Sequence, residues 1–211
     1  MTRLQVWLIM GWLSIGLAGV WPVAADHGTS HEHSPAKPSS PLPAPQTPVS
    51  TAHKYFTDVV LVNQHGENMR LYSDLLKDKV VVIGSFFTQC EGACPILSAK
   101  FAQLQDWLGE RLQKHVYLIL FTVDPEADSP EKLKTYATKL KAKPGWYFMT
   151  GAKRHVDWAL YKLGHYVEKK EAHRNIIIIG NEPTGLWKKS LSVAKVEDLV
   201  RILDSVLQDQ G

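Results

Sequence analysis

The only two cysteines of the chain fall in one five-residue window, Cys90-Glu91-Gly92-Ala93-Cys94. A disulfide closing so short a loop constrains the unfolded chain very little, so structural stapling is a poor reason for the pair. Two neighbouring thiols can instead cycle between dithiol and disulfide, or hold a soft metal ion as thiolates. Cys94 precedes Pro95, a residue suited to the first position of a helix, where unpaired amides and the positive end of the dipole favour an anion. The sequence therefore predicts a lowered pKa for Cys94. Three residues separate the sulfurs, one more than in the commoner redox dithiol, which still permits a disulfide but opens the pair towards a shared ion. Two soft sulfurs select Cu(I) or zinc, and an imidazole would complete a three-coordinate copper site or a Cu(II) site of higher coordination. The third ligand has to come from elsewhere in the chain.

The elements around this window must position it. Lys79 to Phe87 is a continuous apolar run, as expected of a strand covered on both faces, and it delivers the chain directly to the cysteines. Beyond Pro95, Leu97, Phe101, Leu104, Leu108 and Leu112 recur at helical spacing. Val116 to Val123 reads as the next buried strand, and Ser129-Pro130-Glu131 as the start of a helix continued by Leu133, Tyr136, Ala137 and Leu140. Trp146 to Met149 is a short strand and about Arg154 to Leu163 a third helix. Asn175 to Ile179 is a strand that turns through Gly180 to Gly185 into a partner at Leu186-Trp187, and a last helix runs from about Lys195 to Leu207. Ahead of all these, Asp58 to Val62 and Met69 to Leu71 form a hairpin around Asn63 to Glu67. The order predicts an α/β protein: a thioredoxin-like mixed sheet flanked by helices, with an N-terminal β-hairpin extension and a late β-hairpin. The right-handed crossover rule makes the first two buried strands parallel and puts the cysteine loop at the carboxyl end of the first, where open α/β sheets carry their sites.

The N-terminus sets the compartment. Arg3 is followed by an apolar run from Leu4 to Val20 and by Val23-Ala24-Ala25, the pattern of an export signal, with an uncleaved membrane anchor as the alternative. No cysteine follows the run, which argues against a lipid-anchored lipoprotein. Residues 26 to 52 combine His27, His31 and His33 with six prolines from Pro35 to Pro48 and almost no large apolar side chains, the composition of a linker. The expected organisation is a signal or anchor at 1–25, a His/Pro-rich linker at 26–52 and one folded domain at 53–211, 159 residues and large enough for a single core. The three linker histidines could also hold copper or zinc loosely. A formal net charge of +3 is too small to argue for a nucleic-acid partner.

Cys90-Glu91-Gly92-Ala93-Cys94-Pro95 after one strand, Val123-Asp124-Pro125-Glu126 after the next, and a histidine shortly before an isoleucine-rich strand and hairpin resemble the Sco/SenC family over roughly residues 56 to 207. In that family the two cysteines and the distal histidine bind copper, and the proteins assist assembly of the binuclear copper centre of cytochrome c oxidase. The resemblance implies Cys90, Cys94 and His173 as metal ligands, copper as the bound ion, and a copper-accepting subunit of a respiratory oxidase, or another periplasmic copper protein, as partner. It also implies Cys90 and Cys94 as a redox pair. The chain departs from many relatives, which carry an Asp before the ligand His and a longer acidic loop ahead of it; here Ala172 and the basic Lys169-Lys170 stand there. Glu171 or Asp124 is then the candidate to orient the imidazole.

These residues support a copper metallochaperone facing the periplasm, in solution or from an anchor. The rival readings are an extracytoplasmic thiol-disulfide reductase using the same dithiol and a redox or copper sensor.

Overall fold

The computed structural model describes residues 50–172 and 175–211. The export signal or anchor, the linker histidines His27, His31 and His33, and His173 lie outside the described residues. No helix among the described residues is long and apolar enough to cross a membrane.

The chain first forms a short helix α1 (Thr51–Phe56), capped by the Ser50 hydroxyl, which accepts from the His53 amide at 3.1 Å. This helix straddles the boundary expected between linker and domain. Strands β1 (Val60–Val62) and β2 (Asn68–Arg70) form the expected antiparallel hairpin. A π-helical segment, Leu71–Leu76, follows and buries Leu71, Tyr72, Leu75 and Leu76. Then come β3 (Val80–Phe86), α2 (Ala93–Leu108), β4 (Val116–Thr122), α3 (Pro130–Lys139), β5 (Trp146–Met149), α4 (Lys153–Leu163), β6 (Ile176–Asn181), β7 (Leu186–Leu191) and α5 (Val196–Leu207).

The main sheet has the order β5-β4-β3-β6-β7. β3 runs parallel to β4 in the register Val82 with Leu118 and Phe86 with Thr122, and β4 runs parallel to β5. β6 is antiparallel to β3 and to β7. β3 is thus the central strand, which is why Val81 to Phe86 can be buried throughout. Its alternate side chains feed two cores. Val82 and Phe86 pack with Leu97, Phe101 and Leu104 of α2, Leu133 of α3 and Leu199 and Leu203 of α5. Val81 and Ile83 pack with Val156 and Leu160 of α4, the hairpin and the π-helical segment. Each such fully buried aliphatic side chain contributes about 2 kcal/mol of transfer free energy.

Two glycines in the strands permit close approaches. A Cβ on Gly84 would lie 3.0 Å from Leu120 and 3.2 Å from Phe101, so a bare Cα is what lets α2 seat against β3. Gly180 of β6 faces Trp187 of β7, whose indole covers it so closely that a methyl group there would overlap the ring.

Candidate metal and thiol site

β3 ends at Phe86 and the chain turns at once, the Cys90 amide donating to the Phe87 carbonyl at 3.2 Å. Helix α2 begins at Ala93 with Gly92 as its N-cap, so Cys94 is the second helical residue and Pro95 the third, two positions deeper than the sequence implies. Helical spacing then points Cys94 with Leu97, Ser98 and Phe101 towards the core. Cys94 is fully buried, Cys90 is half-buried, and both are thiols.

This burial reverses the expected acidity of Cys94. Loss of hydration, the hydrogen bond shared with Cys90 and the nearby negative charges of Cys90 and Asp128 push its thiol up to about 12, against the opposing pull of a Phe87 backbone hydrogen bond. The helix N-terminus does favour a thiolate. The dry surroundings penalise it more. Cys94 therefore stays protonated at neutral pH unless a cation or a reaction partner takes up its charge.

Asp128, which the sequence reading passed over, holds the loop. Asp128 is 1 % exposed, and its carboxylate accepts from the Thr88 amide at 3.1 Å, from the Thr88 hydroxyl, and from the Thr122 hydroxyl at 2.5 Å. It ties the cysteine loop to the end of β4 (Thr88 lies two residues ahead of Cys90). The acid directly before the Ser129-Pro130 helix start was its sequence signal, overshadowed by the cap itself. Tyr136, read from sequence only as part of a helical stripe, hydrogen-bonds through its hydroxyl to Ser98 at 2.9 Å; burial and then the charges of Cys94 and Cys90 raise its pKa.

The predicted third ligand lies in the gap between described residues, but both sides of the gap are placed. Antiparallel pairing of Ile83 with Ile178 sends the start of β6 to the end of β3 from which the cysteine loop leaves. The Asn175 carbonyl accepts from the Ser192 amide at 2.7 Å. On the other side, Lys170 opens a short 3-10 turn (Lys170–Ala172), donates to Asp124 at 2.6 Å and lies 5.4 Å from the ring centre of Phe87. The hydrogen bond to Asp124, partly opposed by burial, raises the Lys170 pKa. Asp124, proposed from sequence to orient the imidazole, thus has its carboxylate on Lys170, while Glu171 is exposed on the turn. Among the described residues no group of three His, Cys, Asp or Glu side chains is gathered to hold a metal.

The SCO1/SenC family profile matches residues 48–182. The chain belongs to the SCO1/SenC family. A SCO1 protein homologue of Bacillus subtilis is 35 % identical over 119 residues, a stretch of 54 % of this chain and 60 % of the relative, so the match spans less than two thirds of that relative's length. Among solved structures, BsSco, described as a member of the Sco family of cytochrome c oxidase assembly proteins with a disulfide switch, is 29 % identical with a TM-score of 0.58, covering 71 % of this chain and 93 % of its own. Copper-bound ScoI of Bradyrhizobium japonicum is 21 % identical with a TM-score of 0.58, covering 71 % and 97 %. Copper binding is characteristic of the family.

Proposed function

We propose that this SCO1/SenC protein is a copper metallochaperone that carries its ion on Cys90, Cys94 and His173, outside the cytoplasm, for assembly of the binuclear copper centre of cytochrome c oxidase. The observation that carries the reading is the pair of thiols, Cys90 on the loop after β3 and Cys94 at the start of α2, with Lys170, three residues before His173, held to Asp124 and beside the Phe87 ring at the start of that loop. The copper-bound family structure and the oxidase-assembly description of BsSco supply the ion and the pathway. The export-type pattern from Arg3 to Ala25 supports the compartment.

Copper is cargo in this reading. Taking it up releases the Cys90 and Cys94 protons, because the thiolates are the ligands. The ion's positive charge compensates the thiolate that burial and Asp128 disfavour, so Cys94 holds a cation where it would not hold a bare charge. Half-exposed Cys90 is the sulfur an acceptor reaches first, and ligand exchange through it hands the ion on.

A second reading has its own support in the unequal exposure of the sulfurs. As a reductase, Cys90 would attack a partner disulfide, one partner sulfur leaving as a thiol and the other joined to Cys90; Cys94 would then displace it, giving the partner dithiol and a Cys90–Cys94 disulfide. Two electrons pass to the partner. Anaerobic titration of the reduced protein with Cu(I) and Cu(II) against a competing chelator, beside His173→Ala, tests the first reading. One tight equivalent, greatly weakened in the variant, is expected. Absence of specific binding by the folded, reduced protein would overturn the chaperone reading and leave the reductase.

A further inference from the structure

A groove of about 500 Å³ opens between α1, the end of α4 and the β6–β7 edge, built from residues that the thiol site does not use. Its apolar surface comes from Phe56, Leu163, Ile178 and Trp187, with the Phe56 and Trp187 ring centres 5.6 Å apart. Lys162 and Lys189 stand on its lining, and no carboxylate does. Among the described residues neither lysine enters an ion pair. The Lys162 ammonium lies instead 4.5 Å from the ring centre of Tyr55 and 4.7 Å from that of Trp158. Around it Tyr55, Trp158 and Tyr161 are 52 %, 40 % and 64 % exposed, a large aromatic surface for a domain to leave in water.

The composition is specific. Apolar walls offer hydrocarbon a dry surface, two ammonium groups offer an anion its counter-charge, and Tyr and Trp suit the level of lipid headgroups, with one apolar side and one polar edge. A neutral apolar peptide would have no use for the lysines, and a free inorganic anion none for the walls. The position of the groove along the chain points the same way: α1, which lines it, is the first helix after Ser50, and the preceding residues contain the apolar run Leu4 to Val20. Of the helices described, α1 is therefore the one nearest in sequence to the apolar run that, left uncleaved, would anchor the chain.

We propose that this groove binds an anionic phospholipid of that membrane, its phosphate between Lys162 and Lys189 and an acyl chain against Phe56 and Trp187. Such seating fixes one face of the domain on the bilayer.

The test uses the full chain in nanodiscs of phosphatidylcholine alone and of equal parts phosphatidylcholine and phosphatidylglycerol, reading hydrogen exchange in α1 and α4. Protection of both helices is expected only with phosphatidylglycerol. Lys162→Gln and Lys189→Gln should each weaken the phosphatidylglycerol-dependent protection by about fivefold, the weight of one lysine at an anionic surface, while copper binding stays unchanged. Equal protection in neutral discs would mean that the groove is covered by neutral lipid or by protein and would overturn the proposal. So would no protection in either disc, protection indifferent to the lysines, or the same protection from inorganic phosphate without lipid.

Discussion

Replacing His165 by Phe should remove a large part of the acid sensitivity of this fold. His165 follows α4, is 1 % exposed, and places Nδ1 3.2 Å from the Ser85 hydroxyl of β3 while Nε2 finds no partner among the described residues. Burial, and then the positive charge of Lys189, lower its pKa from 6.5 to about 4. The unfolded chain accepts a proton at this imidazole near pH 6.5, whereas the folded chain refuses it until about pH 4. Between those values the unfolded state binds more protons, so stability is intact above the window and falls as pH falls through it. At about 1.4 kcal/mol per tenfold, the full loss is about 3 kcal/mol. Asp58 and Asp74 add acid sensitivity of their own. Burial raises the Asp58 pKa, but hydrogen bonds from Ser73 and the charge of His53 outweigh it; hydrogen bonding to Arg70 lowers that of Asp74. Both contributions cancel between wild type and His165→Phe. Loss of the Ser85 contact shifts the variant by about 1 kcal/mol at every pH without changing its slope. Urea unfolding, followed by circular dichroism between about pH 8 and pH 4.5, should show the difference between the two proteins changing by 2–3 kcal/mol in favour of the variant. Parallel curves would refute the argument and mean that His165 is hydrated or paired in solution.

With a small alkylating reagent at neutral pH, Cys90 should react and Cys94 should not, since Cys94 is buried with a pKa of about 12; peptide mapping reads this directly, and equal labelling would contradict it. Asp128→Ala should destabilise the protein by about 2–4 kcal/mol in denaturant by leaving Thr88 and Thr122 donors without their acceptor, and Asp128→Asn by less. Gly180→Ala should cost about 1–3 kcal/mol because Trp187 must leave its position over β6, and a shift in Trp fluorescence should accompany the loss.

The sheet was legible in sequence wherever one physical cause dominated. The unbroken apolar runs at Val80–Phe86 and Val116–Thr122 match strands with two covered faces, and Ser129-Pro130 starts α3 because a hydroxyl cap and a fixed φ act locally. β7 proved longer than Leu186-Trp187, continuing to Leu191, because its polar outer residues still pair with β6 through the backbone. Helix α1 and the π-helical segment are each six residues, too short for a sequence period to stand out; contacts with the hairpin, α4 and each other hold them.

At the candidate site, the sequence by itself determined the residue types: two soft sulfurs on one loop, a histidine ahead of an isoleucine-rich strand, an export pattern and the family resemblance. Those depend on side-chain chemistry and order along the chain. Tertiary structure decided how the types behave. A helix start alone would make Cys94 acidic, but the core beneath α2 removes its water and Asp128 arrives from 34 residues away to add a negative charge. Desolvation and long-range charge depend on which atoms surround a group in space, and no local spacing rule encodes them.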